Sequence, residues 1–394
     1  MYRPAIVAVA YDRPQALKRL LSSIEAAKYP DDVRPVLVIS IDKSDSDDVV
    51  CEAKSFEYTH GDKVILERPE RMGLRRHVLS CGDLTKEYGS IIVLEDDLFV
   101  SPDFYNYACA VLDFSDDHED IGSVSLYNHL FNVHTREAFY AIDDGYDNYY
   151  LQIASSWGQA YTKKQWELFK EWYEKNSDRD LAGPDVPLNI SGWSDKSWLK
   201  YYIVYLIETG RYTIYPRTGM TTNFGDVGTH ACKIDTDLQV PISASGSERG
   251  WCFSTVQQSQ AVYDPFFELK DDILHDRICP GDSCLIVDLY GSKPVNELIL
   301  LKKKAGKGHI HVLSSQRLPF KAVRSFGRQM RPVDANAVYG IEGNDLFLYD
   351  TGIASDPPAK KSAAIRFLYD YRGISAARMI RIIIYRIMEK LGIG

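Results

Sequence analysis

No stretch of this chain runs uninterrupted through about 18 apolar residues, so no membrane-spanning helix is expected. A glycine-rich GxGxxG turn is missing after the first strand-like run, and GxxxxGK[ST] occurs nowhere, which argues against dinucleotide and P-loop phosphate binding. The basic surplus of a nucleic-acid binder is missing too: 46 Lys and Arg stand against 55 Asp and Glu, a formal charge of −9. The seven cysteines, Cys51, Cys81, Cys109, Cys232, Cys252, Cys279 and Cys284, lack paired zinc spacing, and their odd number fits a reducing compartment better than a disulfide framework. The opening MYRPAIVAVAYDRP has none of the basic, long apolar and small-residue regions of a signal peptide. These absences predict a cytoplasmic protein, attached at most to the inner face of a membrane.

What is present is a chain of 394 residues, 45% hydrophobic, enough for one large domain of roughly 250 residues and a smaller appendage. Tyrosine is abundant at 26 residues, which suits both an aromatic interior and polyhydroxylated ligands, since the ring is apolar and the tip hydrogen-bonds. From residue 4 to 100, β-rich runs alternate with helical patterns, the signature of a mostly parallel sheet flanked by helices. The strands are expected at Ala5 to Ala10, Val36 to Ile41, Lys63 to Leu66 and Ser90 to Leu94. Asp12, Pro14 and Gln15 spell an N-cap, a first-turn proline and a capping-box partner for the first helix. Further helices are expected around Leu74 to Glu87, after Ser101 and Pro102, near Lys163 to Glu174 and near Asp195 to Glu208.

Past Asp271 the pattern changes to CLIVDLY, ELILL, HIHVL and DLFLYD, read as short strands of a β-rich appendage, with GKGH at Gly306 to His309 as a basic hairpin turn. Asp356, Pro357 and Pro358 mark a hinge. The expected division is therefore 1–265, 266–355 and 356–394. From Lys360 onward the tail carries a charge of +6 against −15 for the rest. Ile380, Ile383, Ile384, Ile387, Met388 and Leu391 fall at helical spacing among Arg378, Arg381, Arg386 and Lys390. Such a basic amphipathic helix can lie on an anionic inner leaflet, or dock on the acidic body or on a second subunit to make a homodimer.

In open α/β sheets ligands bind beyond the carboxyl ends of the strands, and Arg13, Asp42 and Glu95 to Asp97 all fall there. Three adjacent carboxylates repel one another unless a cation, hydrogen bonds or protonation balances them. A divalent metal held by carboxylates would also supply the phosphate neutralisation that no glycine-rich loop provides. An exposed acidic turn with no such role is the alternative reading.

The segment EDDLFVSPDFYNY resembles the metal-binding segment of N-acetylglucosaminyltransferase I and related bacterial family 2-like glycosyltransferases of the GT-A fold. SSWGQAYTKKQW, GWSDKSW and PRTGMTTNFGDVGTH are similar to later segments of those enzymes, in order, over roughly residues 4 to 232. The resemblance implies a GT-A nucleotide-diphospho-sugar transferase sheet and a sugar transfer from a UDP-sugar with inversion, to a saccharide or lipid-linked saccharide, in surface polysaccharide or lipopolysaccharide assembly. It also implies Asp97 as ligand of Mn²⁺ or Mg²⁺, Asp96 facing ribose or sugar, Glu95 toward the nucleoside, Arg13 and Asp42 at the uracil end, and Asp195 as catalytic base. Leu74 departs from the pattern where a base-contacting histidine is expected. Arg71, Arg75, Arg76 and His77 crowd beside it, with Arg76 the donor-binding candidate. Trp157 is a stacking shelf or a core residue, Asp195 a base or a first-turn helix residue, and His230 a metal or phosphate contact or a structural histidine. The competing class is a non-catalytic nucleotide- or carbohydrate-binding protein on the same fold.

Overall fold

The computed structural model describes residues 1–226, 238–244, 250–279, 281–359 and 375–391. The first strand, β1 (Ala5–Ala10), is buried along its whole length, as a run of Val, Ile and Ala must be when a sheet is covered on both faces. It pairs in parallel with β2 (Leu37–Ile41), and β2 with β3 (Lys63–Glu67). On its other side β1 pairs in parallel with β4 (Ser90–Glu95), which is followed by the short β5 (Leu98–Val100). Beyond these come β6 (Ile121–Ser125), β7 (Asn148–Leu151), β8 (Gln159–Thr162), β9 (Tyr212–Pro216), β10 (Thr221–Asn223) and β11 (Val262–Tyr263). Nine of these strands form one sheet in the order β11-β7-β9-β6-β8-β4-β1-β2-β3. β8 runs against both β4 and β6, and β7 against β9. The result is a mainly parallel sheet flanked by helices.

Alternation along β1 sends Ile6, Ala8 and Ala10 to one face, against Leu17, Leu20, Leu21 and Ile24 of the helix Pro14–Glu25. Ala5, Val7 and Val9 go to the other face, toward Val78 and Leu79 of the helix Leu74–Gly82. Tyrosines fill much of the interior, and some of their hydroxyls find backbone acceptors: Tyr215 donates to Ile153 O at 2.7 Å and Tyr202 to Gly122 O at 2.8 Å.

Three local expectations are corrected. The first helix has Arg13, not Asp12, at its N-cap and no capping box, because the Arg13 side chain turns to the carboxylates at the end of β4. The helix after Asp195 runs Trp198–Thr209 with Ser197 as its cap, so Asp195 lies in the turn ahead of it. The ELILL run is a helix, Val295–Lys304: Val295, Leu298 and Ile299 are buried at helical spacing, and three lysines close its last turn, where the helix dipole favours cations.

That helix flanks a second sheet, ordered β12 (Ser283–Asp288), β13 (His309–Ser314), β15 (Leu346–Ala354) and β14 (Phe320–Phe326). GKGH is thus the link from helix to β13 and not a hairpin turn. Buried polar contacts tie the two sheets: Tyr263 donates to Asp334 at 2.9 Å, Arg328 to Glu137 at 2.6 Å, and Lys293 pairs with Asp264. In the helix Ala376–Leu391, Ile380, Ile383, Ile384, Ile387 and Leu391 are all exposed on one side; the side chains of Arg386 and Lys390 lie outside the described set. Among the described residues no helix is long and apolar enough to cross a membrane.

Candidate active site

β4 delivers Glu95 at the carboxyl end of the sheet, and the chain turns at once through Asp96 and Asp97 into β5. The turn is held from outside by β10, which pairs with β5, and by the Phe224 amide, which donates to Asp97 O at 2.8 Å. Arg19 secures that segment in turn, reaching Asp226 and lying 3.8 Å over the Phe224 ring.

Arg13, from the end of β1, supplies the positive charge. Its Nη2 donates to Asp96 Oδ1 and its Nε lies 3.4 Å from Asp96 Oδ2, while Nη1 reaches Asp97 Oδ2 at 3.4 Å. One guanidinium cannot balance three carboxylates. Burial pushes Asp96 up to about 6 against the pull of Arg13. Glu95 is held well above the usual carboxylate range, first by burial and then by Asp97 and Asp96. It shares a cavity of about 10 Å³, room for roughly one water, with Ser156, Gln159, Trp166 and Trp198.

Asp97 Oδ1 is buried and has no hydrogen-bond partner. An uncompensated buried carboxylate oxygen is costly, and a hard divalent cation is the group that would satisfy it. Mg²⁺-type ions are commonly held by one or two carboxylates with substrate phosphates and water completing the shell, so a lone free oxygen fits Mn²⁺ or Mg²⁺ without a protein cage. His230, the second candidate ligand, lies outside the described residues.

The other candidates distribute unevenly. The β4–β8 register sets Val93 against Gln159, so the chain entering β8 brings Trp157 alongside Glu95. Its ring packs 4.8 Å from Tyr127 and is partly buried. Asp42 is buried at the end of β2, where it holds a loop: Oδ1 accepts from the amides of Lys43 at 3.0 Å and Met72 at 2.7 Å, and Oδ2 from Gly73 at 2.8 Å. Arg76 does not converge on the triplet; it is exposed and donates to Met72 O and Arg71 O of its own loop. Asp195 is 82% exposed with Lys200 Nζ 3.4 Å away.

Two residues matter more than the sequence suggested. Arg75 stitches the Leu74–Gly82 helix to the turn that carries Asp195, donating to Tyr173 Oη at 2.7 Å and to Asp195 O at 3.0 Å while lying 4.1 Å over the Tyr201 ring. Lys200 is buried, donates to Trp193 O at 3.1 Å, and steadies the turn that carries Asp195. Their helical positions gave no signal, because the partners come from distant segments.

No family model matches the chain. A curated relative is the alpha-1,3-mannosyl-glycoprotein 2-beta-N-acetylglucosaminyltransferase of Arabidopsis thaliana, 26% identical over 262 residues. The chain resembles N-acetylglucosaminyltransferase I. The match takes in 63% of this chain and 52% of the relative, so the chain spans about half the length of the enzyme it resembles. Among solved structures, the mannosyltransferase PcManGT from Pyrobaculum calidifontis in complex with GDP-Man and Mn²⁺ is 14% identical, with a TM-score of 0.35 over 55% of each chain. S. aureus TarS 1-349 is 9% identical, with a TM-score of 0.35 over 55% of this chain and 59% of that one. Likenesses of this size assign neither a donor nor a metal to this chain.

Proposed function

We propose that this protein is a metal-assisted glycosyltransferase that moves a sugar, with inversion, from a nucleotide-diphosphate sugar to a saccharide or lipid-linked saccharide, with a UDP-sugar as the favoured donor. The observation that carries the reading is the buried, partnerless Asp97 Oδ1 at the end of a central strand, beside an Asp96 already clamped by Arg13. Residues 1–265 would hold the transferase site, with 266–355 as the appendage and 356–394 as the tail, the last placing the enzyme against an anionic inner membrane.

A divalent ion bound with the donor would act as a Lewis acid and neutralise charge on the departing diphosphate. Asp97 would hold it through Oδ1. Arg13 fixes Asp96 and Asp97 before any ligand arrives, so the carboxylates need no reorganisation when the donor binds. Glu95, its carboxyl held above the usual range by burial and by its two acidic neighbours, would hydrogen-bond toward the nucleoside. Trp157 would cover a sugar ring. Asp195 would take the proton of the acceptor hydroxyl, and its high exposure suits a group that an acceptor must reach.

The same Asp195, beside the Lys200 ammonium and open to water, favours the second reading, a nucleotide- or carbohydrate-binding protein without turnover. Calorimetric titration with UDP, GDP and CDP, each with and without Mn²⁺, tests the donor site. Metal-dependent binding of one nucleotide, lost in Asp97→Asn, is the expected result. Binding of none of the three overturns the donor site. Binding without sugar transfer, unchanged by Asp195→Asn, supports the second reading.

A further inference from the structure

The second sheet carries a group of side chains that the transferase reading leaves unused. His309 and His311 stand two apart on β13 and therefore share one face. The antiparallel register sets Asp350 of β15 directly opposite His311. One ligand atom from each of the three lies within 4.8 Å of the other two. His309 Nε2 is 2.8 Å from Asp350 Oδ1, and the two imidazole centroids are 4.8 Å apart.

Two further observations point to a ligand. His311 is only 2% exposed, yet its Nδ1 has no hydrogen-bond partner, a condition that buried ring nitrogens rarely tolerate. Gly352 keeps the space beside the group clear: a Cβ there would come within 3.1 Å of both Asp350 Oδ1 and His309 Cε1. Its amide donates to Asp350 Oδ1 at 2.8 Å and orients that carboxylate from outside. His309 is about half exposed and supplies an entry path.

We propose that His309, His311 and Asp350 form a binding site for a divalent transition metal ion, with Zn²⁺ as its occupant, on the second sheet and independent of the acidic triplet. Two imidazoles and a carboxylate with a fourth position left to water are a donor set that Zn²⁺ prefers, whereas the carboxylate oxygen of Asp97 suits Mn²⁺ or Mg²⁺. Ligand atoms around a tetrahedral Zn²⁺ lie about 3.4 Å apart. Closing the set therefore asks for a modest rotation, which the exposed His309 ring can make by exchanging its contact with Asp350 for the ion. The ion would bridge β13 and β15, two strands some 40 residues apart in sequence, and so would stabilise the fold.

The test uses the full chain, stripped of metal with a chelator and titrated calorimetrically with Zn²⁺, with Co²⁺ absorption as a report of tetrahedral geometry. The expected result is one Zn²⁺ per chain, a raised unfolding temperature, and binding retained in Asp97→Asn. In His309→Ala, whose exposed side chain can be removed without leaving a core cavity, affinity should fall by at least roughly 10–100-fold, the loss that even outer-shell changes cause at metal sites. Asp350→Asn provides a second variant should His309→Ala prove unstable. Absence of Zn²⁺ binding to the unaltered chain overturns the proposal. So does binding that survives both variants, and so does binding that Asp97→Asn abolishes while His309→Ala leaves it intact.

Discussion

Asparagine in place of Asp97 should separate folding from ligand binding. The carboxylate makes one charged contact with the protein, Oδ2 to Arg13 at 3.4 Å, while Oδ1 has none. Two effects of removing its charge oppose each other. Attraction to Arg13 is lost, worth about 4 kcal/mol for unit charges 4 Å apart at an effective dielectric constant of about 20. Repulsion from Asp96, of comparable size at the same separation, is relieved, and Arg13 remains to serve Asp96 alone. Without ligands, Asp97→Asn should therefore unfold in urea within about 1 kcal/mol of the unaltered protein. With Mn²⁺ and nucleotide at 100 times the dissociation constant, the unaltered protein should gain about 2.7 kcal/mol, and the variant essentially none. A ligand-free loss above about 3 kcal/mol would show that the carboxylate is structural, and an undiminished ligand response would remove Asp97 from the metal.

Asp42→Ala should behave in the opposite way. It strips three backbone amides of a buried charged acceptor, and a loss of about 3 kcal/mol in urea unfolding is expected, with the fall in nucleotide affinity following from the displaced 70–73 loop. Arg75→Ala releases the turn carrying Asp195. Transfer should slow by about tenfold, about 1.4 kcal/mol of barrier, while calorimetric nucleotide binding stays unchanged. Burial lowers His77 to about 4 in the folded state, below its unfolded value of about 6.5, so its contribution to stability is complete above 6.5 and is lost as pH falls toward 4. Asp96, raised to about 6, works in the other direction between pH 6 and 4. Comparing His77→Gln with the unaltered protein isolates the histidine, and the variant should gain about 3 kcal/mol in relative stability over that acid window. Finally, truncation before residue 360 should abolish sedimentation with anionic vesicles and leave nucleotide binding intact; equal sedimentation of both forms would refute a membrane role for the tail.

The parallel half of the large sheet was legible because each strand is an apolar run that ends abruptly at an acid or a turn. Strand-end position also singled out Arg13 and the triplet, since both kinds of evidence are local in sequence. Asp42 was legible as a strand-end acid, but not its task, because the amides of Met72 and Gly73 arrive from 30 residues downstream. ELILL was ambiguous in principle: four consecutive apolar residues satisfy a strand and a helical face equally, and the decision came from the lysines and the packing after it. HIHVL and DLFLYD read correctly as strands, yet nothing in either run announced the register that sets Asp350 against His311.

Arg13 already acts as the resident counter-ion of Asp96 and Asp97, occupying from within part of the role an external cation would play. The acidic turn can therefore take its shape in a chain that has never met metal, and folding need not wait on the supply of Mn²⁺ or Mg²⁺. With Asp97 as the metal ligand proposed above, the two controls would separate: the turn's own charges set its folding, while the concentration of Mn²⁺ or Mg²⁺ would set what fraction of the protein is ready to engage a donor. A metal held in that way can be bound weakly and exchanged at every turnover.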